Sequence, residues 1–194
     1  MNKKHALVCG SSKGIGASTA IELSKLGATI TLLARDEESL ANVLNRLDTS
    51  KNQNHNFIIA DFDDPFKLKD TIDQHIANNP TIHILINNSG GPKPGPIVDA
   101  NVEDFISAFN RHLICNHILV QAVVPKMKEA RFGRIINITS TSVKQPIKGL
   151  GISNTIRGAV ANWAKTLSFE LGEFGITVNN ILPCLLYTSP SPRD

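Results

Sequence analysis

The feature that most limits how this sequence can fold is a glycine-studded bend, Gly10-Ser11-Ser12-Lys13-Gly14-Ile15-Gly16. It comes directly after a short apolar run of β type and directly before a helical pattern. Glycine lets the backbone turn sharply and lets another group approach it closely. A helix that begins at such a bend offers free N–H groups and a partial positive charge to an anion. A phosphate-bearing ligand suits this arrangement, although a plain strand-to-helix turn would also use glycine. The spacing is G-x-x-x-G-x-G, which differs from the G-x-G-x-x-G of the commonest dinucleotide-binding bend.

The alternation begun there continues along the chain. Apolar, β-rich runs at residues 5–9, 29–33, 56–60, 83–87, 134–139 and 176–182 are separated by helical patterns at 15–26, 36–47, 65–76, 105–130 and 152–171. Strands alternating with longer helices are the mark of βαβ units and a parallel sheet. Gly27 is placed to end the first helix, and the 105–130 helix is expected to break near Arg111. In the 152–171 helix, Ile152, Ile156, Ala159, Val160, Trp163, Ala164, Leu167 and Leu171 form one apolar stripe. Ser153 and Arg157 lie off that stripe, one turn apart on a single ridge. With 194 residues, 41% of them hydrophobic, the chain can bury a continuous core as one α/β domain.

Charge and cysteine usage narrow the function classes. The net charge of +3 is spread along the chain with no basic block, so nucleic-acid binding has nothing specific in its favour. No stretch approaches membrane-spanning length, and no membrane association is expected. Cys9, Cys115 and Cys184 are widely separated and fit a reducing compartment, which makes the cytoplasm the expected location. The histidines show no metal-ligand spacing, and no metal site is expected.

A series of motifs in order resembles the short-chain dehydrogenase/reductase family over nearly all of residues 5–183. The glycine bend has the family spacing, led by Cys9 where Thr is usual. Asp61-Phe62 ends the third strand. Asn87-Asn88-Ser89-Gly90 resembles the N-N-A-G that ends the fourth, and residues 133–140 resemble the fifth strand running into the catalytic serine, here Ser140. Gly175-Ile176-Thr177-Val178-Asn179 with Pro183 resembles the sixth. The resemblance implies a doubly wound, Rossmann-type parallel sheet in the order 3-2-1-4-5-6, with the seventh strand missing.

It also implies a nicotinamide dinucleotide. By family position, Gly10, Ser12, Lys13, Gly14, Ile15 and Gly16 would hold its diphosphate. Arg35, Asp61, Phe62, Asn88, Ser89, Gly90, Arg157 and Pro183 would line the rest of its site. Arg35 directly follows the second strand, where a ribose 2′-phosphate would lie, and Lys13 can add a second positive charge. These favour NADP(H). Asp36, one residue later, keeps NAD(H) open unless it caps the next helix.

Three of the four catalytic positions implied by the resemblance are altered. The family's Asn, Ser, Tyr and Lys fall on His112, Ser140, Ser153 and Arg157, and the only tyrosine of the chain is Tyr187. A serine hydroxyl is a far weaker acid than a phenol, and arginine does not give up its proton as lysine can. The expectation is carbonyl reduction or alcohol oxidation on a small molecule, of the 3-oxoacyl reductase type. Ser140 and Ser153 would orient the carbonyl, Arg157 would offset alkoxide charge, and His112 would stand by the proton path. The alternative is a catalytically impaired NADP(H)-binding module that acts as a sensor or partner subunit. A homo-oligomer is implied by the resemblance. The rigid run Gly90-Gly91-Pro92-Lys93-Pro94-Gly95-Pro96 would border the active site or serve as a plain structural loop.

Residues 184–194 break the pattern. They can be back-translated as one reading frame of the adapter used in transposase-based sequencing libraries and are read as a non-native tail. A disordered tail with Ser-Pro phosphorylation sites is the competing reading. The natural domain is taken as residues 1–183, incomplete at its C-terminal end.

Overall fold

The computed structural model describes Met1, residues 3–78 and residues 81–184; the suspected tail beyond Cys184 lies outside the described residues. Six parallel strands form one sheet: β1 (His5–Cys9), β2 (Thr29–Ala34), β3 (Asn56–Ile59), β4 (Ile84–Asn87), β5 (Gly133–Ile138) and β6 (Ile176–Ile181). Their order is β3-β2-β1-β4-β5-β6, as expected. The helices are α1 (Gly14–Lys25), α2 (Glu37–Leu44), α3 (Pro65–Asn78), α4 (Val102–Phe109), α5 (Cys115–Glu129) and α6 (Gly151–Leu171).

The sheet is covered on both faces, and this explains the sequence of its central strands. Every residue of β1 is buried, because a parallel strand flanked by helices on both sides has no wet face. Leu7 and Cys9 point into one core with α3, α5 and α6, together with Ile72, Leu119, Val123 and Ala164. Ala6 and Val8 point into the opposite core with Ala17, Ala20 and Leu40 of α1 and α2. At the edge, β6 has one wet face and alternates buried Ile176 and Val178 with exposed Thr177 and Asn179.

Helix ends follow local chemistry. Gly27 takes a φ of 91° just past the end of α1, a left-handed value that suits glycine. Asp36 caps α2, with its Oδ1 accepting from the Ser39 N–H at 3.1 Å. The expected break near Arg111 is a π-helical turn, Asn110–Ile114, which joins α4 to α5. α4 begins at Val102, earlier than the pattern suggested.

β1 connects outward to β2 and β3 on one side and lies beside β4 on the other. This reversal of direction leaves a crevice at the C-terminal ends of β1 and β4, where ligands of doubly wound sheets bind.

Candidate functional site

The glycine bend lies at this crevice. Gly10 and Gly14 take φ values of 56° and 57°, which L side chains rarely adopt. A Cβ on Gly16 would stand 2.3 Å from the Gly10 carbonyl oxygen, so the first turn of α1 packs directly on the bend. The bend is tied to both neighbouring strands. The Leu33 N–H donates to Ser11 Oγ at 2.9 Å, and Asn88 Nδ2 donates to the carbonyls of Cys9 and Gly10 at 3.3 and 3.2 Å. Ser11 is wholly buried, so its hydroxyl serves the bend and not a ligand. The helix dipole and free amides of α1 then face open space above Gly14, where a Cβ would meet no atom within 4 Å. That cradle fits a diphosphate.

A cleft of about 350 Å³ opens beside the bend. Gly10, Ser12, Lys13, Ile15, Arg35, Asp61, Phe62, Asn88, Ser89 and Gly90, all expected at a cofactor site, line it together. Gly14 and Gly16 shape the bend without lining the cleft. Arg157 and Pro183 are not among its lining residues, and the Pro183 carbonyl accepts from the Thr141 N–H at 3.2 Å. Phe62 is mostly core, 8% exposed. Of the lining residues not expected at the site from the sequence, two are charged, Asp63 and Arg111. They pair with each other: Arg111 Nε donates to Asp63 Oδ1 at 3.0 Å, and Nη2 closes on the same oxygen.

The four catalytic positions, three of them altered, surround the ends of β4 and β5. His112 Nδ1 and Ser89 Oγ share a 2.7 Å hydrogen bond. The ring is buried, and burial, with the positive charges of Arg157 and Arg111, pulls its pKa down to about 3. It is therefore neutral at ordinary pH. Arg157 Nη1 donates to the Ile138 carbonyl at 2.8 Å; burial lowers its pKa to about 10, so it stays charged near neutrality. Ser140 accepts from the Ser142 N–H at 3.1 Å and caps the short turn Thr141–Val143. Ser153 stands one turn before Arg157 on α6, with no side-chain hydrogen-bond partner among the described residues. Below them a ladder of amides crosses the strand ends: Asn87 Nδ2 to Asn137 Oδ1 at 2.8 Å, then Asn137 Nδ2 to Asn180 Oδ1 at 3.1 Å. Arg157 Nε and His112 Nε2 are buried atoms without a partner among the described residues, hydrogen-bonding capacity that an added group could use. The loop after β4 is anchored to the start of α6, with Gly95 N–H donating to the Gly149 carbonyl at 2.7 Å.

The family model described as short chain dehydrogenase matches residues 4–192. The chain belongs to the short chain dehydrogenase family.

Relatives of this short chain dehydrogenase carry a consistent chemistry in their names. It is 33% identical over 190 residues to an NADPH-dependent aldehyde reductase-like protein, chloroplastic, of Arabidopsis thaliana, covering 92% of this chain and 70% of that one. L-sorbose reductase from Gluconobacter frateurii, solved with NADPH and L-sorbose, has 27% identity and a TM-score of 0.88, with 94% of this chain and 70% of that chain covered. An NAD+-bound xylitol dehydrogenase has 25% identity and a TM-score of 0.88, with 97% and 72% covered. The protein is thus an oxidoreductase enzyme of this family, with the doubly wound sheet of its neighbours and a nicotinamide cofactor. No helix among the described residues is long and apolar enough to cross a membrane.

Proposed function

We propose that this short chain dehydrogenase uses NADP(H) to interconvert a carbonyl and an alcohol on a small molecule, in the manner of 3-oxoacyl reductases. One observation carries the cofactor preference. Lys13 and Arg35 both line the cleft beside the phosphate bend, while the Asp36 carboxylate is turned onto the Ser39 amide and hydroxyl. An acid spent on a helix cap is not directed at ribose hydroxyls, and two cations suit a 2′-phosphate.

In this reading the amides of Gly10, Ser12 and Ile15 hold the diphosphate. Asp61 and Phe62 border the adenine, and Asn88, Ser89 and Gly90 border the nicotinamide half. When bound, the nicotinamide supplies or accepts a hydride. Ser140 and Ser153 orient the substrate oxygen, and the Arg157 charge offsets negative charge developing on it. His112, being neutral, acts through its bond to Ser89, holding that hydroxyl at the proton path. The three free cysteines agree with a reducing cytoplasm. Val102, Ile106 and Phe109 leave an exposed apolar line along α4, which supports self-association.

Titration of the protein with NADPH and NADH, read by quenching of its single tryptophan, Trp163, tests the reading. NADPH is expected to bind at least about tenfold more tightly, a difference of about 1.4 kcal/mol. NADPH consumption is then expected with some members of a ketone and aldehyde panel. Equal affinities would overturn the cofactor assignment, and tight NADPH binding without turnover of any carbonyl would overturn the reductase assignment.

A further inference from the structure

We infer that Arg111 is a specificity-determining residue for the phosphorylated cofactor, acting by neutralising Asp63 at the cleft wall; the inference rests on the NADP(H) reading above. The cleft has a mixed charge set. Lys13, Arg35 and Arg111 face it together with the carboxylates of Asp61 and Asp63. The carboxylates would repel a 2′-phosphate, whereas an unmodified ribose offers them hydroxyls to bind.

The geometry divides these acids unequally. Arg35 Nη1 stands 3.8 Å from Asp61 Oδ2 and 3.9 Å from Asp63 Oδ2, at the outer limit of an ion pair, and its side chain is 72% exposed. Arg111, 28% exposed, puts both Nε and Nη2 on Asp63 Oδ1. The Asp61 carboxylate is committed in part to the Asp63 N–H, which donates to its Oδ1 at 3.0 Å. Arg111 therefore satisfies Asp63 and leaves the loosely held Arg35 free to turn toward a phosphate. Arg111 owes this position to the π-helical turn Asn110–Ile114, on which it precedes His112.

Losing Arg111 would expose the full negative charge of Asp63 and let it capture Arg35. Both changes penalise a doubly charged phosphate and leave a neutral ribose almost untouched. Across solvent-exposed separations, one uncompensated charge acting on such a phosphate changes affinity about fivefold at low salt.

The test is a set of dissociation constants for NADPH and NADH on the whole chain, with melting curves for each variant. Arg111→Met is expected to weaken NADPH about fivefold and NADH less than twofold. Arg111→Lys should stay within about twofold of the unmodified chain for both. Asp63→Asn should tighten NADPH, and Asp63→Asn combined with Arg111→Met should restore the original preference. Should Arg111→Met lose its melting transition, the comparison of Asp63→Asn with the unmodified chain decides instead. Equal weakening of both cofactors by Arg111→Met, or no NADPH gain in Asp63→Asn, overturns the inference while leaving the NADP(H) reading in place. An unmodified chain that binds neither cofactor, or prefers NADH, overturns both.

Discussion

Arg157 of α6 donates from Nη1 to the backbone carbonyl of Ile138 at 2.8 Å, fastening a 21-residue helix to the end of β5. The carbonyl lies where the strand gives way to Thr139 and Ser140, so the bond fixes the approach of the proposed catalytic serine.

Removing that donor strands a carbonyl in a largely buried place, which costs about 1–3 kcal/mol. Arg157→Met is expected to lower Tm by roughly 3–10 °C in a chain of this size. A thermal melt checks this, and an unchanged Tm would mean that water replaces the guanidinium without loss.

The bend and the loop after β4 give a matched pair of glycine tests. In Gly16→Ala the new methyl would sit 2.3 Å from the Gly10 oxygen, and backbone has little room to yield. We expect a loss of about 1–3 kcal/mol in stability and of measurable dinucleotide binding. Gly91→Ala meets nothing within 4 Å and should leave both unchanged. Binding by Gly16→Ala at the original affinity would contradict the cradle.

The strands and helices of the site were mostly readable before any coordinates, for a simple reason. Central parallel strands are apolar on both faces, so runs such as Ala6-Leu7-Val8-Cys9 stand out from any helical pattern. The glycine spacing marked the bend. The pairing of Asp63 with Arg111 stayed hidden because they lie far apart in sequence, and a π-helical turn changes the angular phase by which helix faces are read.

Asp36 offers a test of helix capping against ribose binding. Its carboxylate accepts from both the N–H and the hydroxyl of Ser39, at 3.1 and 2.7 Å. Asp36→Ala should lower Tm by a few degrees through loss of the cap and leave the ratio of NADPH to NADH affinity unchanged. A selective fall in NADH affinity, measured by titration, would instead assign the carboxylate to the ribose.

Acid should weaken the fold through buried imidazoles. Burial, followed by the charges of neighbouring histidines, lowers His5 to about 4; burial first, then Arg157, lowers His112 to about 3; and burial lowers His83, whose Nδ1 accepts the His5 N–H at 3.2 Å. Their folded-state pKa values lie below the unfolded value of about 6.5, so the unfolded chain takes up protons first. The stability they contribute is complete above about pH 6.5 and falls as pH drops toward 4, by up to about 1.4 kcal/mol per pH unit for each ring. Melting curves across this range should show a plateau near neutrality and a decline below it; a constant Tm down to about pH 4.5 would contradict the neutral assignments.

Sequence alone determined the alternation of strands and helices, the phosphate-type bend, and which residues stand at the ends of the strands, because these depend on local patterns of polarity and glycine spacing. Tertiary structure decided how charges pair across the chain: Asp63 with Arg111, and Arg157 with the Ile138 carbonyl. Charge interactions depend on distance in space and on exclusion of water, and chain order fixes neither until the sheet has brought its edges together.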